Sequence, residues 1–184
     1  MYELRKRFMA WFESWRTRTL RPIGLFLLRQ GVTANILTSG SLVAGILAIF
    51  FLFQNHLLFV IFSLLHLLID ALDGVVARLS KETKLGKYFD YFSDRLVTFL
   101  ALVKIGWVLE EYYSYLALGL YVLAQSGYVL SKFKAPILFT RTLVLILLFL
   151  NWPVLAYLST GIAAVYSLLM QAGYWGSKFK RKSL

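Results

Sequence analysis

The sequence contains no cysteine, which excludes disulfide bonds, thiolate nucleophiles and cysteine-bound zinc. Acidic residues are also scarce, with nine Asp and Glu against 20 Lys and Arg, and the formal net charge is +11. Hydrophobic residues make up 59% of the 184 positions, more than a soluble domain of this length contains. The basic residues separate long uncharged runs instead of covering a soluble fold, a pattern that disfavours nucleic-acid binding. The composition therefore indicates an integral membrane protein.

Long stretches without charge predict an all-α fold with six transmembrane helices. No formally charged residue lies between Arg29 and Asp70, a run that suits two crossings of about 20 residues each. Proline cannot continue helical hydrogen bonding and asparagine favours turns, so these residues mark where a long run divides. The predicted spans lie near 34–53, 57–79, 89–109 and 112–130, with two more in the run 142–177 on either side of a turn at Asn151-Trp152-Pro153.

The distribution of Lys and Arg predicts the orientation of these spans. Basic residues occur in the N-terminal segment, in the second and fourth connections and at the C-terminus, and they are missing from the first, third and fifth connections. We therefore expect a multi-pass protein of the cell (inner) membrane, with both termini and the even-numbered connections on the cytoplasmic side.

Residues 1–30 are expected to form a juxtamembrane segment that precedes a six-helix domain at 31–184. In Met1–Arg18, large apolar residues alternate with basic ones, which is typical of an amphipathic helix lying on an anionic membrane surface. A disordered basic tail is the alternative. Arginines interrupt every apolar stretch in this segment, so we do not predict a signal peptide.

Four aspartates, nearly half of the nine acidic residues, flank the second connection. Asp70 and Asp73 share one helical stripe with Gly74, and Asp90 and Asp94 form a second stripe on the next, antiparallel helix. Two facing stripes would gather four carboxylates in the inner half of the bilayer. Like charges repel strongly in a medium of low dielectric constant, so these carboxylates need cations. An all-oxygen site of this charge predicts two divalent ions of the hard class, Mg²⁺ or Mn²⁺.

A pair of divalent ions beside an arginine suits chemistry on a diphosphate, whose oxygens the ions neutralise. Arg78 borders the first stripe, and Gly74 and Gly86 leave space for a ligand close to the backbone. The alternatives are a proton or ion pathway in a small cation transporter, or carboxylates that simply pair with Arg78, Arg95 and nearby lysines.

The motif Asp-x-x-Asp-Gly-x-x-Ala-Arg, followed by Gly-x-x-x-Asp-x-x-x-Asp, spans residues 70–94. It resembles the signature of the CDP-alcohol phosphatidyltransferase family. Residues 28–38 look similar to the family's opening of the first span, most of all in the branch of phosphatidylinositol-phosphate, archaetidylinositol-phosphate and phosphatidylglycerophosphate synthases. The resemblance implies an enzyme of phospholipid biosynthesis that releases CMP. It would transfer a phosphatidyl group from CDP-diacylglycerol or CDP-archaeol to an acceptor alcohol, and it would be a homodimer.

The resemblance also implies roles for individual residues. Asp94 would act as the general base on the acceptor hydroxyl. The implied metal ligands are Asp70, Asp73, Asp90 and Asp94. The residues implied to contact the CDP-lipid donor are Asn35, Thr38, Gly74, Arg78 and Thr83.

Basic residues at the cytoplasmic ends of the fourth and fifth predicted spans suggest a phosphorylated acceptor. Lys132, Lys134 and Arg141 would supply a cationic pocket for inositol phosphate or glycerol 3-phosphate. The alternative is the ordinary excess of positive charge in cytoplasmic connections. A second enzymatic alternative is an aminoalcohol phosphotransferase that uses CDP-choline or CDP-ethanolamine with a diacylglycerol acceptor.

Overall fold

The computed structural model describes residues 2–80 and 84–180, and every regular element within these ranges is an α-helix. The helices are α1 (Tyr2–Arg29), α2 (Ala34–Phe51), α3 (His56–Leu79), α4 (Lys84–Leu109), α5 (Tyr112–Leu130), α6 (Arg141–Phe149) and α7 (Pro153–Lys180). The predicted all-α class is confirmed. The bounds of α2, α3 and α5 agree with three predicted spans to within two residues.

Three of these helices are long and apolar enough, by length and composition, to cross a membrane. They are α2, α3 and the part of α7 that ends at Gly176. Charged residues interrupt the apolar sequence of α4, which contains Asp90, Asp94, Arg95 and Lys104, and tyrosines lower the hydropathy of α5. The residues that lower the hydropathy of α4 thus include two of the predicted site residues.

Helix α6 is shorter than the predicted span. Its nine residues extend about 14 Å, less than half of a hydrocarbon core about 30 Å thick. The turn expected at Asn151–Pro153 is confirmed, since α6 ends at Phe149 and α7 begins at Pro153. Asn151 has a φ of 61°, a left-handed conformation that asparagine tolerates better than most residues.

The segment 131–140, between α5 and α6, is not helical. Two buried polar side chains of α7 bind its backbone. The Ser167 hydroxyl accepts a hydrogen bond from the Leu138 amide at 3.0 Å, and the Gln171 amide group donates to the Pro136 carbonyl at 3.3 Å. Gln171 also donates to the Ala124 carbonyl of α5 at 3.0 Å. These bonds provide partners for backbone groups that lack helical ones, which a buried segment requires.

The described residues form two compact units, one within 1–50 and 57–94 and the other within 51–56 and 95–184. In the first unit, His66 of α3 is buried with its Nδ1 atom 2.8 Å from the Ser41 hydroxyl of α2. Small side chains on α2 permit this close approach of α3. The buried residues of α2 are Thr38, Ser41, Ala44, Gly45, Ala48 and Ile49.

The second unit depends on contacts that α7 makes with α5 and α6. Large apolar side chains of α4 and α6, among them Leu102, Ile105, Leu145 and Leu148, form its buried core. Gly127 on α5 lies against the side chain of Gln171, at a point where a methyl group would collide with the amide oxygen. The missing side chain at Gly127 therefore creates the space in which Gln171 reaches its two carbonyl partners.

We expect Gly127→Ala to lower the free energy of unfolding by about 1–3 kcal/mol, because it overpacks the contact and displaces Gln171 from its hydrogen bonds. Thermal unfolding of the purified protein in detergent measures this change. Gly119→Ala on the same helix is the matched control, since no atom lies within 4 Å of the added methyl group. It should be neutral or stabilising because alanine favours the helix. Equal destabilisation by both variants would argue against this role of Gln171.

Candidate active site

Three aspartates of the first unit form a compact carboxylate group. Ligand oxygens of Asp70 on α3 and of Asp90 and Asp94 on α4 lie within 4.8 Å of one another, and all three residues are half-buried. The four-residue spacing of Asp90 and Asp94 places them on one face of α4. Asp70 comes near the end of α3 and the other two come early in α4, the next helix along the chain.

Asp73, the fourth predicted metal ligand, lies outside this group of three. It is buried, and its Oδ2 atom accepts a hydrogen bond of 2.5 Å from the Thr38 hydroxyl on α2. A hydrogen bond to a charged acceptor is stronger than one between neutral groups. This bond holds the Asp73 carboxylate in place, and it joins α2 to α3 at a point that the separate motifs did not predict.

An open pocket of about 430 Å³ adjoins the carboxylate group. Its volume is typical of sites for small molecules. Asp90 belongs both to the pocket wall and to the group of three aspartates. The lining residues come from α1, the start of α2, the end of α3 and the start of α4: Arg16, Thr33, Ala34, Asn35, Thr38, Asp73, Gly74, Ala77, Arg78, Ser80, Gly86 and Asp90.

The structure brings most of the predicted donor-contacting residues to this pocket. Thr83 lies outside the described residues. The residues that line the pocket are Asn35, Thr38, Gly74 and Arg78. The predicted acceptor residues Lys132, Lys134 and Arg141 belong to the second unit, where both lysines are exposed and Arg141 is half-buried at the start of α6.

Arg16 and Ser80 are among the pocket residues that were not predicted from the sequence. Arg16 was interpreted as one of the basic residues of a surface helix. Nothing in the local sequence distinguishes it from Arg18 or Arg21, which are exposed on the same helix. Only the folded chain shows that Arg16 alone among these three lines the pocket.

The pocket combines groups of both charges. Arg16 and Arg78 supply guanidinium groups, and the N-terminus of α2, with no acidic residue in its first turn, supplies partial positive charge. Asp73 and Asp90 supply carboxylates. This combination suits an anionic ligand held beside a cation. The adjoining group of three half-buried carboxylates offers only oxygen ligands, which fits a hard divalent ion.

Comparison with protein families identifies the class to which this arrangement belongs. The family model described as CDP-alcohol phosphatidyltransferase matches residues 31–172, most of the chain. The chain therefore belongs to this family, whose members are enzymes that transfer substituted phosphate groups and generally depend on a divalent metal. A search of the curated proteins returned no match.

We expect Mn²⁺ or Mg²⁺ to raise the thermal unfolding temperature of the wild-type protein, because a ligand that binds only the folded state stabilises it. At a hundred times the dissociation constant the stabilisation is about 2.7 kcal/mol. Asp90→Asn should abolish most of this increase, since it removes a carboxylate from the group of three. Glu110→Gln, which neutralises an exposed acid, is the control and should retain it. An undiminished increase in Asp90→Asn would exclude this group as the metal site.

Proposed function

We propose that this enzyme of phospholipid biosynthesis transfers a phosphatidyl group from a CDP-linked lipid, CDP-diacylglycerol or CDP-archaeol, to an acceptor alcohol and releases CMP. The proposal depends on one observation about Asp90. This residue lines the pocket that suits an anionic ligand, and it is also one of the three aspartates of the carboxylate group. A diphosphate bound in this pocket would have a phosphoryl group beside the carboxylates. Family membership supports the same chemistry.

We assign the metal site to Asp70, Asp73, Asp90 and Asp94, with two Mg²⁺ or Mn²⁺ ions. The support is the compact group formed by three of these residues and the presence of Asp73 and Asp90 in the wall of the same pocket. When bound, such ions neutralise charge on phosphoryl oxygens and on the leaving group. The hydrogen bond from Thr38 keeps the Asp73 carboxylate oriented.

The donor is assigned to the pocket, with contacts from Asn35, Thr38, Gly74 and Arg78. Thr83 is also assigned to the donor on the basis of the sequence motif. The guanidinium group of Arg78 can bind phosphate oxygens bidentately. The N-terminus of α2 adds backbone amides whose dipoles favour a phosphate.

Asp94 is the proposed general base. It lies one helical turn beyond Asp90 on α4, whereas the donor pocket is lined by Gly86 and Asp90 from the earlier turns. An acceptor hydroxyl that reaches Asp94 would give its proton to the carboxylate as its oxygen forms a bond to the β-phosphorus. The bond between that phosphorus and the bridging oxygen then breaks, and the electron pair leaves with CMP.

The proposed acceptor is phosphorylated, either inositol phosphate or glycerol 3-phosphate. Lys132, Lys134 and Arg141 would bind its phosphate. The support is the sequence position of Arg141, which begins the apolar helix α6, because charged residues at the ends of membrane-embedded helices often serve a function.

For the membrane arrangement we propose that α2–α7 provide six crossings, with α1 amphipathic at the interface, both termini cytoplasmic and the active site on that side. The chain is further proposed to act as a homodimer, as the family resemblance implies. The alternation of Lys and Arg between connections supports the orientation. Helix α6 alone is too short to cross the hydrocarbon core. The proposal of a fifth crossing therefore depends on the alternation of Lys and Arg, and on the hydrogen bonds that Ser167 and Gln171 make to the backbone of segment 131–140.

We expect Asp94→Asn to reduce the rate of CMP release at least a hundredfold, because loss of a general base commonly costs that much. The affinity for CMP should stay within threefold of wild type, since Asp94 lies beyond the nucleotide pocket. Purified protein in detergent or vesicles, with CDP-diacylglycerol, a phosphorylated acceptor and Mg²⁺ or Mn²⁺, gives the rate, and a separate titration with CMP gives the affinity. Glu110→Gln is the charge-matched control. Loss of nucleotide binding together with turnover would be inconsistent with a base.

A panel of acceptors distinguishes the branches of the proposal. Glycerol 3-phosphate, inositol phosphate and serine are supplied in turn with CDP-diacylglycerol, and the phosphorylated acceptors should support CMP release. Turnover of CDP-choline with diacylglycerol would instead identify an aminoalcohol phosphotransferase. Absence of CMP release with every pair would refute the proposed reaction.

The absence of native cysteine makes the orientation testable by single-cysteine labelling. In spheroplasts, a membrane-impermeant maleimide should label Gln54→Cys and Trp152→Cys, which lie in the first and fifth connections. It should reach Gln30→Cys, which precedes α2, only after the membrane is permeabilised. All three positions are exposed. Protection of Trp152→Cys in intact spheroplasts would contradict six crossings.

A further inference from the structure

Arg16 reaches the pocket from outside the region that matches the family. It lies on α1, before the matched residues 31–172. Its Nη2 atom is 2.9 Å, and its Cζ atom 3.7 Å, from the point where a Cβ atom on Gly74 would stand. The Nη1 atom of Arg78 is 3.8 Å from the same point. Two guanidinium groups from different helices therefore converge over the backbone of Gly74.

The distances explain why position 74 suits glycine in this chain. A methyl group there would press against Arg16 Nη2, so any larger residue would force the Arg16 side chain away. The nitrogens of the two arginines are less than about 7 Å apart, a separation that the oxygens of a diphosphate can bridge. A single phosphate on Arg78 alone would not require the second guanidinium group.

Arg16 also has a polar atom that the described part of the chain leaves without a partner. Its Nε–H group is buried and makes no hydrogen bond. A buried donor without an acceptor is unfavourable, and so is the approach of two like charges in a partly enclosed pocket. An anion bound between Arg16 and Arg78 would relieve the repulsion between the two guanidinium groups. The neighbouring N-terminus of α2 adds positive potential at the same wall.

We propose that Arg16 is a donor-binding residue that, with Arg78, holds the diphosphate of the CDP-linked substrate. The assignment rests on the proposed function, because it takes the pocket as the nucleoside diphosphate site. In this assignment α1 has two roles, since it forms one wall of the pocket and also lies on the membrane surface. Because two guanidinium groups can each take one phosphate, Arg16 would contribute more to the binding of CDP than to that of CMP.

Binding of CDP and CMP to the full-length protein, measured by calorimetry with Mg²⁺ present, tests this assignment. Arg16→Ala should weaken CDP binding at least tenfold and CMP binding less than threefold, and it should raise KM for CDP-diacylglycerol with little change in kcat. Arg16→Lys, which keeps the charge without the planar fork, should give a smaller loss for CDP. Arg18→Ala, at an exposed position of the same helix, is the matched control and should leave both affinities unchanged.

Wild-type affinity for CDP in a folded Arg16→Ala protein would overturn the assignment. If Arg16→Ala does not fold, CDP binding is measured in Arg16→Lys instead, and wild-type affinity in that variant would also overturn the assignment. An equal loss for CDP and CMP would show that Arg16 does not recognise the second phosphate. The proposed function fails separately: wild-type protein that binds CDP and yet releases no CMP with any acceptor would refute the reaction while leaving the anion pocket intact.

Discussion

Carboxylates held close together inside an apolar helical protein impose the main constraint on this structure. Asp70, Asp90 and Asp94 place their oxygens within 4.8 Å, where mutual repulsion is large unless positive charge is near. The rest of the first unit can be understood as the means of holding that group in place. Thr38 fixes the neighbouring Asp73, and the contact of Ser41 with His66 fixes α2 against α3 one helical turn before Asp70. Small buried residues on α2 allow both contacts to form.

Much of the first unit follows from local sequence. Uncharged runs bounded by polar residues predict α2 and α3, and the spacing of the aspartates predicts that they meet across a short connection. The contact between Thr38 and Asp73 was not predicted, because it joins residues that are distant in the chain and were assigned to different ligands. Arg16 was missed for a related reason. Its place in the pocket wall depends on where α1 runs in the fold, and a basic residue on an amphipathic helix looks the same in the sequence whether it faces a pocket or a membrane.

Helix α6 shows a different limit of prediction. An uncharged run predicts a helix long enough to cross the membrane, because the backbone inside a bilayer needs hydrogen-bond partners and a helix supplies them. The prediction is weaker where side chains supply those partners instead. Ser167 and Gln171 supply such partners to the segment before α6. Both are isolated polar residues in the middle of an apolar helix, far along the chain from the backbone that they bind. Helix α4 is not among the described helices that are apolar enough to cross a membrane, because the charged residues that it contains, including two aspartates of the candidate site, lower its hydropathy.

The convergence of Arg16 and Arg78 over Gly74 has a practical consequence for the boundaries of the catalytic unit. A fragment that begins at residue 31 would keep every residue of the aspartate motif and the whole region that defines the family. It would lack the α1 side of the pocket. Truncations designed from motif boundaries, a common step when membrane proteins are shortened for expression, would therefore remove part of the pocket wall and leave the recognisable signature intact.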